Sequence, residues 1–410
     1  MKYILIIGDG MADNPLPELD GKTPLEAAQK PAIDLLAKQS VVGSVLTVPP
    51  TLPPGSDTAI LSIFGCDPLV CFTGRSPLEA AGCGVPVPAG YTSYRCNMIC
   101  LADSDLPFAE KTILSHNAGS IDGKSSMAII RALCADPAFA QALEQAGMTI
   151  APTPSFRHMA MQKGGDLEGF TAKPPHDILG EVIGPYALHG NANAENLWKL
   201  MELPNAILEH HPLNEARRAE GKLPANGIWF WAEGTSVELP SFVQANGTGG
   251  SVISAVPLVH GIGVLTGLKM VEVEGATGEV DTNYAGKLQA AKEALLQGDA
   301  FVCLHLEAPD EATHNGSLPD KLLAIHQLDS LIVEPLLQWL REQQMEYRLL
   351  LLSDHKTLMA TRTHDGDPVP YLLYDSTAPV DGRYGYTEAN GQLGPYLEHG
   401  TALMKLLFKR

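Results

Sequence analysis

Seven residues of this chain combine carboxylate, imidazole and hydroxyl chemistry at places where strands and loops end. Asp9 closes the apolar run YILIIGDG, and Asp310 and His314 stand four apart in EAPDEATH. Asp354 and His355 are adjacent in LLSDH, His364 leads THDGDPVP, and Ser56 lies in PPGSDTA. A buried strand that ends on a carboxylate carries a desolvation cost unless a cation meets it. Three carboxylates brought together would also repel and raise one another's pKa values. Divalent cations remove that penalty, and Asp with His is a donor set suited to zinc or manganese. Taken alone, an Asp after a strand is a turn or helix-cap residue. The recurrence at four strand ends is what points to metal. Ser56 has two readings. It can cap a helix start, or it can use the N–H groups and partial positive charge of that start to act as a nucleophile activated by metal.

Elements with a regular rhythm must position these residues. KYILIIGDG reads as a strand, TPLEAAQKPAIDLLAKQS as an amphipathic helix and GSVLTV as a second strand. The C-terminal half alternates in the same way, and FVCLHL and RLLLL are the continuous apolar runs of strands buried on both faces. This predicts an α/β fold with a mostly parallel sheet flanked by helices, its functional residues at the carboxyl ends of the strands. The middle is richer in Pro and Gly, as in PVPAGYTSYRCNMICL and APTPSFRHMAM. It predicts a smaller inserted α+β domain over 72–190, with 1–71 and 191–410 forming a discontinuous core. The helical stretch 194–220 fits either part.

Composition narrows the function. With 410 residues, 45% of them hydrophobic, the chain has material for two or three domains with a large core. A formal charge of -19 argues against nucleic acid and against an anionic membrane, but leaves room for a small anionic substrate met by a few arginines. Seven cysteines without a CxxC pair read as reduced thiols, and the N-terminal apolar run is too short for a signal peptide. The expectation is a cytoplasmic protein, monomeric or a small homo-oligomer.

The motifs GDGMAD, PPGSDTA, TGRSPLEAA, RCN, EAPDEATH and SDH…THDGDPVP, in that order, resemble those of the archaeal-type cofactor-independent phosphoglycerate mutases. The similarity extends through PANGIWFWAEG and GATGEVDTNYAGK, over nearly the whole chain. The resemblance implies an alkaline phosphatase-like core with an inserted cap holding the substrate, and two divalent metal ions (Mn, Zn, Co or Mg). It assigns Asp310, His314 and His364 to one metal and Asp9, Ser56, Asp354 and His355 to the other. It implies that Ser56 takes the phosphoryl group of 3-phosphoglycerate and returns it to the 2-hydroxyl of the retained glycerate. Arg75, Arg95, Arg157 and His158 are then candidates to bind the substrate. Ser120, Thr313 and Lys356 depart from the family pattern. The alternatives are phosphoryl transfer to or from another small metabolite, homoserine-kinase-like or phosphatase, and a non-catalytic metal-binding regulator.

Overall fold

The computed structural model describes residues 1–102, 105–382 and 384–409, which form two compact units, Met1–Phe72 with Glu238–Arg410 and Thr73–Val237. The first is built on an eight-stranded sheet with helices along it. Its centre is the strand Lys2–Gly8, paired in parallel with Phe301–Leu306 on one side and Tyr347–Leu352 on the other. Gly250–Ile253 and Lys269–Val271 continue the parallel part, while Val369–Asp375 runs antiparallel to both of its neighbours. FVCLHL and YRLLLL are buried at every position, as a sheet covered on both faces requires.

Register explains why the reactive residues meet. Gly8 pairs with Leu306, and Ile7 with Leu352. Three strands therefore end level, and the chain leaving each one begins with Asp9, with the helix Ala308–His314, or with Asp354 and His355. His364 arrives on a small antiparallel hairpin, where it faces Thr357. The one long helix expected after the first strand is broken in two. Pro24–Ala27 starts on a Thr23–Glu26 capping box, and Pro31–Ala37 restarts the helix. Pro31 has no N–H to continue the first helix and disfavours helical geometry at Lys30.

The second unit is a five-stranded sheet around the strand Tyr91–Leu101, antiparallel to Arg157–Lys163 and to Gly227–Thr235. Its far boundary lies at Val237 rather than at 190. The reason is packing: GIWFWAEGT pairs along Tyr91–Leu101, with Cys96 opposite Phe230. The helix Ala192–Leu208 adds Leu197, Leu200, Met201 and Leu208 to the same core. No helix among the described residues is long and apolar enough to cross a membrane.

Candidate metal centre

Asp9, Asp354 and His355 bring one donor atom each to within 4.8 Å of one another, and so do Asp310, His355 and His364. His355 belongs to both groups. His314 completes the second group: its Nε2 is 3.0 Å from His364 Nε2 and 3.2 Å from Asp310 Oδ2. Ser56 Oγ is 3.2 Å from His355 Nε2. All seven residues expected to hold metal thus converge.

The hydrogen-bond network fixes what each atom offers. Burial would raise the Asp310 carboxyl, but hydrogen bonds with His314 and His364 outweigh it and hold it well below its usual range. Asp310 is therefore ionised, and Thr357 Oγ1 must donate to its Oδ1 at 2.6 Å. With that proton committed, Thr357 Oγ1 accepts from His355 Nδ1 at 3.2 Å. Burial keeps the imidazole neutral, against the pull of Asp354. His355 Nε2 is then a bare lone pair, 3.3 Å from Asp354 Oδ2 and 3.6 Å from Asp9 Oδ1. The two carboxylates are arranged alike. Asp354 Oδ1 accepts from the backbone N–H of Gly10 and of His355, while Oδ2 is buried without a hydrogen-bond partner. Asp9 Oδ2 meets His305 Nε2 at 2.9 Å, while Oδ1 is buried without a partner.

Three lone pairs thus face one another in a dry site, an arrangement that a divalent cation fits and that neutral packing does not. Burial, then the charges of Asp354, Asp310 and Glu307, push the Asp9 carboxyl well above its usual range. The hydrogen bond to Asp310 lifts His314 to about 9. Gly10 makes the close approach possible. It sits at φ +62°, and a Cβ there would lie 2.5 Å from Thr357 Oγ1 and 2.7 Å from Asp310 Oδ1.

Ser56 is the first residue of the helix Ser56–Ile63, and Gly55 occupies the cap position. The hydroxyl makes no capping bond, so its orientation toward His355 has no helix-capping purpose. Two departures from the family pattern are absorbed locally. Thr313 Oγ1 donates to Pro309 O, and Lys356 Nζ ties Asn14 to Asp367.

The arginines expected at the substrate lie in the second unit. Arg95 is buried and holds Glu79 through two guanidinium nitrogens, Nε and Nη2, while Arg75 Nε reaches the same carboxylate at 3.0 Å. Burial would raise Glu79, but Arg95, Arg75 and Arg157 outweigh it and depress the carboxyl far below its usual value. The Arg95 guanidinium lies 4.5 Å from the centre of the Trp231 ring, and Arg157 lies 5.2 Å from that of Phe156. His158 does not join them. It follows Arg157 on the strand, so its side chain takes the opposite face of the sheet. It is fully buried, with Ser126 Oγ at 3.0 Å on one ring nitrogen and the N–H of Thr153 at 3.1 Å on the other. Burial pushes its imidazole down to about 4, as befits a structural residue.

The residues not anticipated are Thr357, which sets the His355 tautomer, and His305. The signal for His305 was present, because it is the one polar residue of FVCLHL, one position before the strand's last residue.

The 2,3-bisphosphoglycerate-independent phosphoglycerate mutase family matches residues 37–214. A protein from Geobacter sulfurreducens, named as a probable member, is 41% identical over 412 residues, covering 100% of both chains. The chain belongs to this family. A mutase of the same name from Methanosarcina acetivorans is 41% identical over 399 residues, 96% of each chain. Among solved structures, a Pyrococcus horikoshii protein has a TM-score of 0.77 at 27% identity, covering 100% of this chain and 98% of that one. The cofactor-independent phosphoglycerate mutase of Thermoplasma acidophilum has the same fold, with a TM-score of 0.62 at 24% identity and coverage of 100% and 99%.

Proposed function

We propose that this chain interconverts 3-phosphoglycerate and 2-phosphoglycerate through a phosphoserine formed on Ser56, with two divalent cations (Mn, Zn, Co or Mg) held by the seven converging residues. The observation that carries the reading is the Ser56 hydroxyl. It is directed at Nε2 of His355 instead of capping its helix, at the edge of the two donor groups. Bound cations would supply positive charge to the transferring phosphoryl oxygens and lower the pKa of the serine hydroxyl. The chain's own residues do the rest. Asp354 and Asp9 each keep one oxygen on a fixed donor and so cannot turn away from the centre. The N–H groups at the start of Ser56–Ile63 offer partial positive charge to an incoming phosphate. Ser56 Oγ forms the bond to phosphorus as the substrate oxygen leaves, and the glycerate 2-hydroxyl later reverses the step. Arg75 and Arg157 are proposed to meet the substrate carboxylate, with Arg95 stiffening them through Glu79.

A reducing, cytoplasmic setting suits seven cysteines that are all free. The test is turnover of 3-phosphoglycerate by Ser56→Ala, with phosphohomoserine and an aryl phosphate assayed beside it. Loss of mutase turnover in a folded protein is expected. Wild-type turnover in the variant would remove Ser56 as nucleophile, and turnover by the wild type of one of the other esters alone would replace the substrate.

A further inference from the structure

We infer that His305 is a positioning residue of the metal centre, aiming one oxygen of Asp9 through a proton chain that starts at a backbone amide. The inference rests on the metal reading of the Asp9 group.

A histidine within an otherwise apolar, fully buried strand is costly unless both ring nitrogens are bonded. His305 meets that demand in one way only. The N–H of Val256 donates to Ser254 Oγ at 3.0 Å, which leaves the hydroxyl proton free to point elsewhere. Ser254 Oγ is 3.1 Å from His305 Nδ1, and His305 Nε2 is 2.9 Å from Asp9 Oδ2. Asp9 is ionised when it serves as a cation ligand and can then only accept, so the proton belongs on Nε2 and Nδ1 takes the one from Ser254.

The sheet prepares this alignment. Ile253 pairs with Leu304 and Ile7 with His305. Ser254 therefore comes level with His305, and Asp9, two residues past Ile7, shares its face. All three side chains are buried, with Ser254 at 2%, His305 at 0% and Asp9 at 1% exposure, so water does not compete. The consequence falls on Asp9. With Oδ2 held by His305, Oδ1 is the oxygen presented to Asp354 and His355, and the carboxylate cannot turn about its own axis. Outer contacts of this kind are worth about 10–100-fold in metal affinity.

The experiment measures manganese binding to the full chain, with melting curves to establish folding. Relative to wild type, His305→Leu should bind one of two manganese ions about 10–100-fold more weakly. His305→Gln should recover most of that loss, because its amide nitrogen can donate to Asp9 from nearly the same place. Nitrogen-15 NMR of the wild type loaded with diamagnetic zinc should show His305 as the Nε2–H tautomer, and Ser254→Ala should mix the tautomers. His305→Leu binding as tightly as wild type would overturn the inference. So would a folded His305→Gln that binds no better than the leucine variant, or an Nδ1–H tautomer in wild type. If the leucine variant does not fold, the tautomer and the Ser254→Ala binding decide. A wild type that takes up no manganese overturns the metal reading instead, a result distinct from loss of the positioning role.

Discussion

The two regions that carry this protein's chemistry have opposite electrostatic designs. In the first unit, carboxylate oxygens and imidazole nitrogens face one another, and the buried Asp9 Oδ1 and Asp354 Oδ2 have no hydrogen-bond partner. In the second, three guanidiniums act on the single carboxylate of Glu79 and depress its pKa. Each cluster departs from neutrality in its own direction. The first attracts protons, raising Asp9 and His314, and the second repels them. An electron-pair-rich cage is built for positive charge, and an arginine cluster for negative charge.

The strongest way to break this comparison is to remove a lone pair from the cage. Asp354→Asn keeps the shape but replaces Oδ2 or Oδ1 with a donor. It should lower mutase turnover by about 10³-fold or more, since several kcal/mol of charge stabilisation are at stake. Metal content measured on the same preparation should fall. Unchanged turnover and content would show that Asp354 does not hold a metal ion.

Next come the arginines. Arg95→Ala leaves Glu79 buried and unpaired from its main partner, which should destabilise the protein by about 3–5 kcal/mol. Its activity would then report on folding, not on substrate contact. Arg157→Ala is the cleaner probe. It should keep the melting temperature within a few degrees and lower kcat/KM for phosphoglycerate about 10-fold or more, while aryl phosphate turnover holds. Equal loss of both activities would place Arg157 outside substrate binding.

The titration of the two clusters should run in opposite directions. His314 is raised in the folded, metal-free protein. Its contribution to stability is complete below about 6.5, its unfolded value, and is lost as pH rises through about 9. Glu79 is depressed, so its contribution is present above about 4.5 and is lost as pH falls toward its folded value. Melts in chelator should lose stability between about pH 6.5 and 9, and added manganese should abolish that slope. Acid should instead first weaken the unit holding Trp198, Trp229 and Trp231, which makes tryptophan fluorescence its reporter. A metal-free protein with flat stability across the alkaline window would contradict the proton-for-metal picture.

The smallest effect concerns Ser56 itself. Because Gly55 takes the cap position, Ser56→Ala should alter stability by no more than about 0.5 kcal/mol while removing turnover. A larger loss in the melt would give the hydroxyl a structural role.

What could be read from sequence follows from what sequence encodes locally. Asp9, Asp310, Asp354 and His355 were legible because apolar runs mark strands, and parallel strands place their tips at one edge. The sharing of His355 was not, because it depends on the Thr357 hydroxyl, contributed by a hairpin two residues further on. Arg95 and Arg157 could be picked out as arginines near strand residues, but nothing nearby in sequence told that Glu79, sixteen residues from Arg95, would claim it. His158 was misjudged for the same reason. Alternation put it on the core face, and only the strand's register reveals which face that is. The boundary at 190 failed because the strand completing the second sheet, Gly227–Thr235, comes after two intervening helices.

The most direct measurement is metal content against turnover. The chain, dialysed against chelator and then against manganese, should bind two ions, lose all conversion of 3-phosphoglycerate when stripped, and regain it on reloading. Full turnover by protein shown by elemental analysis to be metal-free would contradict the account at its centre.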